Sequence, residues 1–213
     1  MKVVWVGFAA CIVAGAVQAL AETRIGILAG IDEATLHQTD PRAFLRFDYQ
    51  SVSRFGVGAV VALDWGRRMA LRLEPMYAAR GSHYLDPSCP CLRLVGYVPQ
   101  QDDRRLSCLE LPALLTVSFG RGWARPYLVG GPAGSHLEKA TVRRDGETTD
   151  LRRSTRNWDV AGYLGGGLRM GTGRTILSLE ARYGFGLLST DDWSSYNRGT
   201  QVLAGLTRGV GRR

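Results

Sequence analysis

The feature that most constrains the fold is a strand-like hairpin from Leu109 to Ser135, in which residues 120–123 join two apolar segments. Its first arm alternates with a period of two, which is the side-chain period of a β-strand. The apolar face of that arm carries Leu109, Leu111, Ala113, Leu115, Val117 and Phe119. The alternation persists for about eleven residues, close to the length that a tilted strand needs to cross a bilayer. The hairpin is therefore predicted to span a membrane.

Six further segments alternate in the same way: 24–31, 54–64, 69–81, 158–170, 174–188 and 199–210. With the two arms of the hairpin, 109–119 and 124–136, they make eight. Pro75 interrupts the third segment and predicts a local bulge there, because proline cannot donate to a strand ladder. The connections run long, short, long, short, long, short and moderate. Transmembrane barrels have short periplasmic turns and longer outer loops. The chain is therefore predicted to be an all-β protein, an eight-stranded antiparallel transmembrane β-barrel with both termini periplasmic.

A soluble periplasmic lipocalin-like barrel that binds a small molecule has the same strand count and is the main alternative. Alternation alone does not distinguish the inside of a barrel from its outside. In the soluble barrel, Leu177, Leu179, Tyr183 and Phe185 would line an interior pocket. Two features favour the membrane barrel: the signal-like segment at the amino terminus, described next, and the alternation of long and short connections.

The first 21 residues have the pattern of a cleaved secretory signal peptide. Lys2 supplies the charge, Val3 to Val17 the apolar core and Ala19 to Ala21 the small-residue cleavage site. The remainder, 22–213, is predicted to form one outer-membrane β-barrel domain. No stretch of this remainder reaches the roughly 18 consecutive apolar residues of a transmembrane helix. Its many glycines lie in strand-like runs and suit a small, sharply curved barrel.

The hairpin contains Leu109-Glu110-Leu111-Pro112, then Arg125-Pro126-Tyr127-Leu128 and Gly130-Gly131-Pro132. This pattern resembles the central hairpin of the PorT-like outer-membrane β-barrel family. The segments 165–167 and 180–187 fit the same family. The resemblance implies an outer-membrane barrel. No catalytic or ligand-binding residues come with it, because the family is defined by barrel architecture and its members differ in role, and no cofactor is expected. Because the family is associated with secretion machinery, it also implies an accessory role there, alongside other envelope proteins.

If the apolar face meets lipid, the charged residues on the opposite face point into the lumen. Eight strands leave a lumen just wide enough for side chains to fill, and paired charges can persist there. We therefore predict a charge network that plugs the barrel, and conduction of protons or ions is the alternative. The network residues are Arg72, Glu74, Glu110, Arg169, Glu180 and Arg182.

The mature chain keeps three cysteines in an oxidising compartment: Cys89, Cys91 and Cys108. A disulfide from Cys89 or Cys91 to Cys108 would fasten the loop that precedes the hairpin. A zinc site with His83 is an alternative, but Cys-x-Cys with a distant histidine lacks the paired ligand spacing of such sites.

Some small outer-membrane barrels modify lipids, so an enzymatic role is an alternative. The candidate bases are His37, His83 and His136, and none accompanies a nucleophile-elbow motif. His136 lies near Ser135 and Glu138, but neighbours on a strand point to opposite faces. The chain is therefore predicted not to be an enzyme.

The formal net charge of +8 is carried almost entirely by arginine. Nucleic acid is not an expected partner, because the sequence shows no basic helix and no interleaved aromatic motif. Outer-membrane lipid and the phosphates of lipopolysaccharide are the expected counter-charges. The long connections Ser82–Leu106 and Glu138–Asn157 are predicted to be outer loops that carry function. The candidate phosphate contacts are Arg143, Arg144, Arg152, Arg153 and Arg156, and the alternative is a solvated loop balanced by Asp145, Glu147 and Asp150.

Overall fold

The computed structural model describes residues 21–38, 48–66, 68–85, 101–144, 147–150, 157–171, 173–187 and 195–210. These residues form ten β-segments: β1 (Ala21–Gln38), β2 (Asp48–Trp65), β3 (Met69–Leu73), β4 (Met76–Leu85), β5 (Gln101–Ser118), β6 (Ala124–Arg144), β7 (Glu147–Asp150), β8 (Trp158–Met170), β9 (Thr175–Gly186) and β10 (Ser195–Val210). Within the described residues, no helix is long and apolar enough to span a membrane.

The strands form one closed antiparallel sheet, because β1 pairs with β10 as well as with β2. Segments β3 and β4 both pair with β2 and β5, so they are two parts of one barrel strand. Segments β7 and β8 both pair with β6 and likewise occupy one strand position. The molecule is therefore an eight-stranded β-barrel, which confirms the predicted fold class.

The two faces of the barrel differ sharply in polarity. The outward face of β9 is apolar, with Leu177, Leu179 and Tyr183 between 45% and 49% exposed. The inward face of the same strand carries Glu180 and Arg182, which are 4% and 1% exposed. The soluble binder required Leu177, Leu179, Tyr183 and Phe185 to line a pocket, and that expectation is wrong because all four point outward.

The exposed apolar side chains form a belt around the barrel. On β2 its edges are marked by the outward aromatic residues Phe55 and Trp65. At about 3.3 Å per residue and a strand tilt of about 40°, these residues are about 25 Å apart along the barrel axis, which matches the apolar band of an outer-membrane barrel. A continuous belt of this size is far larger than the apolar patches of soluble monomers. Its natural environment is the bilayer.

The strands continue well beyond the predicted boundaries. The connection Ser82–Leu106 was predicted to be a loop, but β4 runs to Leu85 and β5 begins at Gln101. The connection Glu138–Asn157 likewise contains the end of β6 and all of β7. Outside the bilayer the outward face need not be apolar, so the alternation ends while the backbone hydrogen bonds continue. For this reason hydrophobic periodicity underestimates strand length.

The bulge predicted at Pro75 is not formed. Leu73 pairs with Ala113 and Met76 with Glu110, so the register on β5 is the same on both sides of the proline. The Ala59 amide donates to the Pro75 carbonyl at 2.9 Å, which keeps the ladder intact around the missing donor. The register of β5 against β6 shifts instead between Ser107 and Cys108.

Two tyrosines fill the lumen by lying over glycines of neighbouring strands. A Cβ on Gly184 would lie 2.7 Å from the Tyr163 ring, and a Cβ on Gly167 would lie 2.7 Å from the Tyr127 ring. Both rings belong to an apolar cluster with Leu114, Val129 and Ala133. A second cluster of Leu28, Val60, Met76 and Leu203 fills another part of the lumen. The lumen is therefore packed with side chains.

We expect Gly184→Ala and Gly167→Ala to destabilise the barrel by about 1–3 kcal/mol each, the usual cost of overpacking. At Gly184 the added methyl group would displace the Tyr163 ring, and at Gly167 it would clash with both the Tyr127 ring and the backbone carbonyl oxygen of Leu179. Urea unfolding of the refolded barrel in detergent micelles measures the effect. Gly134→Ala is the matched control, because a Cβ there meets nothing within 4 Å. Equal losses in all three variants would contradict this packing.

Candidate functional site

Four charged side chains form a cluster in the lumen: Arg72, Glu74, Glu180 and Arg182. Arg72 donates to Glu180 Oε2 from Nη1 at 2.5 Å, and its Nη2 lies 2.5 Å from Glu74 Oε1. Arg182 Nη1 donates to Glu74 Oε2 at 2.6 Å and lies 3.4 Å from Glu180 Oε1. Each carboxylate thus faces both guanidinium groups. The cluster is electrically neutral and crosses the lumen from β3 to β9.

Neutral polar groups extend this cluster. The Tyr127 hydroxyl donates to Glu180 Oε2 at 2.7 Å, and Arg182 Nε donates to Gln201 Oε1 at 2.6 Å. Gln201 Nε2 in turn donates to Asp32 Oδ2 at 2.8 Å. These bonds fix the orientation of the charged groups, because buried charges persist only when their remaining hydrogen-bonding capacity is satisfied.

Glu110 and Arg169 were predicted to belong to the same network, and tyrosines link both of them to it: the Tyr163 hydroxyl lies 3.4 Å from Gln201 Nε2, and the Arg169 guanidinium lies 5.7 Å from the centre of the Tyr127 ring. Glu110 accepts a hydrogen bond from the Tyr163 hydroxyl at 3.0 Å. The Arg169 guanidinium lies 4.0 Å from Asp64 Oδ1, and Asp64 also accepts a hydrogen bond from Arg24. Sequence reasoning did not identify Arg24, Asp32, Asp64 or Gln201. Strand alternation was the available signal, because Arg24 and Asp32 lie on the polar face of β1 opposite Ile25, Ile27 and Ile31.

Little room remains between the central cluster and the group around Asp64. The cavity there measures about 20 Å³ and is lined by Arg24, Arg72, Tyr127 and Arg169 among others. That volume holds about one water molecule. The side chains therefore close this section of the lumen to anything larger than water.

A groove lies on the outside of the barrel, beyond the apolar belt, where β5, β6 and β7 extend past it. Its volume is about 300 Å³, and its lining residues are Arg105, Ser107, Lys139, Thr141, Arg143 and Thr148. Cross-strand pairing places Ser107 beside Lys139 and Arg105 beside Thr141. Three cations thus share one face with three hydroxyl groups. We call this site the loop-end groove.

The groove partly corrects the predicted set of loop arginines. Arg143 and Arg144 lie on β6, not in a loop, because the β6–β7 hairpin extends the sheet to Arg144. Arg152, Arg153 and Arg156 lie outside the described residues. Sequence reasoning missed Arg105 and Lys139 as partners of Arg143. Their proximity depends on strand pairing across the long connections, which alternation did not predict.

Of the three cysteines proposed for a disulfide, the structure describes one. Cys89 and Cys91 lie outside the described residues. Cys108 is 7% exposed and packs in the lumen against Leu137 and Ala140. The predicted disulfide therefore stays a prediction, and so does the zinc alternative.

His136 does not form a Ser-His-acid arrangement with its sequence neighbours. Its ring lies 4.5 Å, centroid to centroid, from the outward-facing ring of Trp158. Ser135 pairs with Asp159 and His136 with Trp158, so consecutive side chains alternate between the two faces. In the described part of the chain, His136 Nδ1 has no hydrogen-bond partner that would orient it as a base.

Several solved barrels resemble this fold. Neisserial surface protein A is 15% identical, with 87% of this chain and 97% of that chain covered and a TM-score of 0.49. Ail of Yersinia pestis is 12% identical, with 87% and 99% covered and a TM-score of 0.45. OprG of Pseudomonas aeruginosa is 11% identical, with 91% and 97% covered and a TM-score of 0.47. No curated protein matches the chain by sequence.

The family model described as outer membrane protein beta-barrel domain matches residues 18–192, which is most of the chain. The closed eight-stranded barrel and its apolar belt agree with that match. The chain therefore belongs to the outer membrane protein β-barrel domain family and is an outer-membrane β-barrel protein.

Proposed function

We propose that this protein is a non-enzymatic barrel that acts through its outer surface, where the loop-end groove binds the phosphates of lipopolysaccharide. The observation that carries this proposal is the position of Arg105, Lys139 and Arg143 together, beyond the apolar belt. The barrel serves as a rigid support for that surface.

The proposed orientation follows from the connections. At one end of the barrel the turns are short, around Gly66, Gly120 and Gly173, and the described termini of the sheet, Thr23 and Val210, pair there. We call this the turn end. Short turns are periplasmic in outer-membrane barrels. The loop end then faces the cell exterior, both termini are periplasmic, and residues 1–21 are removed as a signal peptide.

The groove begins where the belt ends. Leu109 is the last outward apolar residue of β5 before the groove, and Ser107 and Arg105 follow it on the same face. Lipid phosphates lie at the same depth, at the boundary of the hydrocarbon layer. Guanidinium groups bind phosphate through paired, charge-assisted hydrogen bonds. Asp150 pairs with Thr141 beside the groove, yet the cations still outnumber it.

The lumen supports a structural role over a conducting one. The neutral cluster of Arg72, Glu74, Glu180 and Arg182 crosses it, and the adjacent cavity holds about one water molecule. A substrate has no room in this section of the lumen. An accessory role in secretion and membership of the PorT-like group rest on the resemblance of the central hairpin alone.

Replacing Arg105, Lys139 and Arg143 with Gln should weaken binding of lipopolysaccharide about tenfold or more at low salt, because charge-assisted bonds are lost. The difference should shrink at about 0.5 M salt, where charges are screened. Titration of lipopolysaccharide into the barrel in zwitterionic micelles measures the affinity. The control variant removes two exposed arginines at the turn end, Arg174 and Arg208, which do not line the groove. Undiminished binding by the groove variant would rule out this site.

Glu180→Gln should lower the free energy of unfolding by about 3 kcal/mol, because it leaves two buried arginines with Glu74 as their shared carboxylate and so breaks the charge balance of the cluster. Adding Arg72→Gln should recover part of that loss, since the two residues form a direct pair. Urea unfolding in micelles measures both variants, with the exposed Arg208→Gln as control. Additive losses would contradict the proposed network.

A steady conductance of the wild-type barrel in planar bilayers would contradict the proposal that the charge cluster closes the lumen.

Epitope insertion tests the orientation. A tag at Thr148 should be accessible to antibody on intact cells, and a tag at Gly122 only after the outer membrane is permeabilised. Thr148 lies at the loop end and Gly122 in the β5–β6 turn. The reverse pattern would place the termini outside.

A further inference from the structure

The turn end of the barrel opens into a cavity of about 530 Å³. Residues of the turns and of several inward strand faces line it, and Ile176 lies among them. Its charged lining residues are Arg24, Arg68, Arg121, Arg125, Arg169, Glu22 and Asp64. We call this cavity the arginine vestibule. It lies at the opposite end from the loop-end groove and is independent of that site.

The vestibule is strongly unbalanced in charge, with five arginines against two carboxylates. Asp64 is shared, because Arg24 donates to it and the Arg169 guanidinium lies 4.0 Å from the same oxygen. Glu22 is exposed at the mouth. The lumen cluster, in contrast, matches each arginine with a carboxylate. Among the described residues that line the vestibule, the carboxylates are therefore too few to neutralise the arginines.

Buried donor groups remain unused in this wall. Arg24 is 8% exposed, and although one of its terminal nitrogens binds Asp64, its Nε has no partner in the described part of the molecule. The Nε of Arg125 is also buried and also has no hydrogen-bond partner among the described residues. Buried polar groups in folded proteins are normally satisfied, and exceptions call for an explanation such as a catalytic role or the binding of an ion. A ligand with acceptor oxygens would satisfy both groups.

The mouth of the vestibule is open and lies near the level of the lipid headgroups. Trp123 lines it and is 65% exposed. Gly120 and Gly173 also line it, and both have a positive φ that favours glycine. Neither places a side chain across the opening. Tryptophan is enriched at the headgroup level of membranes. A ligand could therefore enter from the aqueous side or from the adjacent lipid headgroups.

We propose that the arginine vestibule binds a phosphate-bearing ligand. Its volume suits a small molecule or one headgroup, since ligand pockets measure about 300–1,000 Å³. Guanidinium forks match phosphate oxygens, and several of them converge here. The phosphate comes either from a soluble phosphate compound or from a phospholipid headgroup, and both sources use the same contacts.

Two probes distinguish these sources. Inorganic pyrophosphate is titrated into the refolded full-length barrel in zwitterionic micelles, and phosphatidylglycerol is added to the same micelles and followed by native mass spectrometry. Binding of pyrophosphate indicates a soluble ligand, and binding of phosphatidylglycerol alone indicates a headgroup. Absence of both, or equally tight binding of citrate, would overturn the proposal.

The test variant is Arg121→Gln with Arg125→Gln, which leaves the buried Arg24 and Asp64 pair intact. We expect the affinity for the bound probe to fall about tenfold or more, through loss of charge-assisted contacts. The matched control is Arg174→Gln with Arg208→Gln, two exposed arginines at the same end that do not line the vestibule. Arg68→Gln serves as a second variant should the first fail to show a heat-modifiable folded band. An equal loss in test and control variants would assign binding to general surface charge and refute the site.

Discussion

Closure of the sheet between β1 and β10 is the constraint on which the rest of the structure depends. In a bilayer no water is present to satisfy backbone groups, so a membrane-spanning sheet must pair every strand on both sides. The long ladder between Thr23–Gln38 and Ser195–Val210 provides the last of these pairings. Once the sheet is closed, each side chain faces either lipid or the lumen. The separation of apolar and charged residues follows from that division.

The narrow lumen determines how its charges are arranged. Eight strands bring opposite walls close enough for side chains from β3 and β9 to meet directly. Arg72 and Arg182 therefore reach Glu74 and Glu180 without an intervening ligand. Glycines at 167 and 184 leave space for the Tyr127 and Tyr163 rings beside this cluster. Polar and aromatic packing together replace the apolar core of a soluble protein.

The two ends of the barrel differ because their connections differ. Short turns leave the arginine vestibule as an open cavity with more cations than anions. At the other end, the extended strands β5, β6 and β7 create an outward basic face beyond the belt. Both proposed sites are rich in cations, but they face opposite sides of the membrane. They would therefore meet different anionic ligands.

Together with the connection lengths, the alternation of the strand-like segments predicted the strand count and placed Arg72, Glu74, Glu180 and Arg182 on the face opposite the apolar side chains. It could do so because the side-chain period of a strand is local. It could not determine which inward residues meet, because Glu180 and Arg72 are brought together by closure of the barrel and by strand register. For the same reason the links of Glu110 and Arg169 to the cluster through Tyr163 and Tyr127 were not predicted. Asp64, Gln201, Arg105 and Lys139 were not identified either. The true lengths of β5 and β6 also required the tertiary structure, since backbone pairing outside the bilayer leaves no hydrophobic period in the sequence.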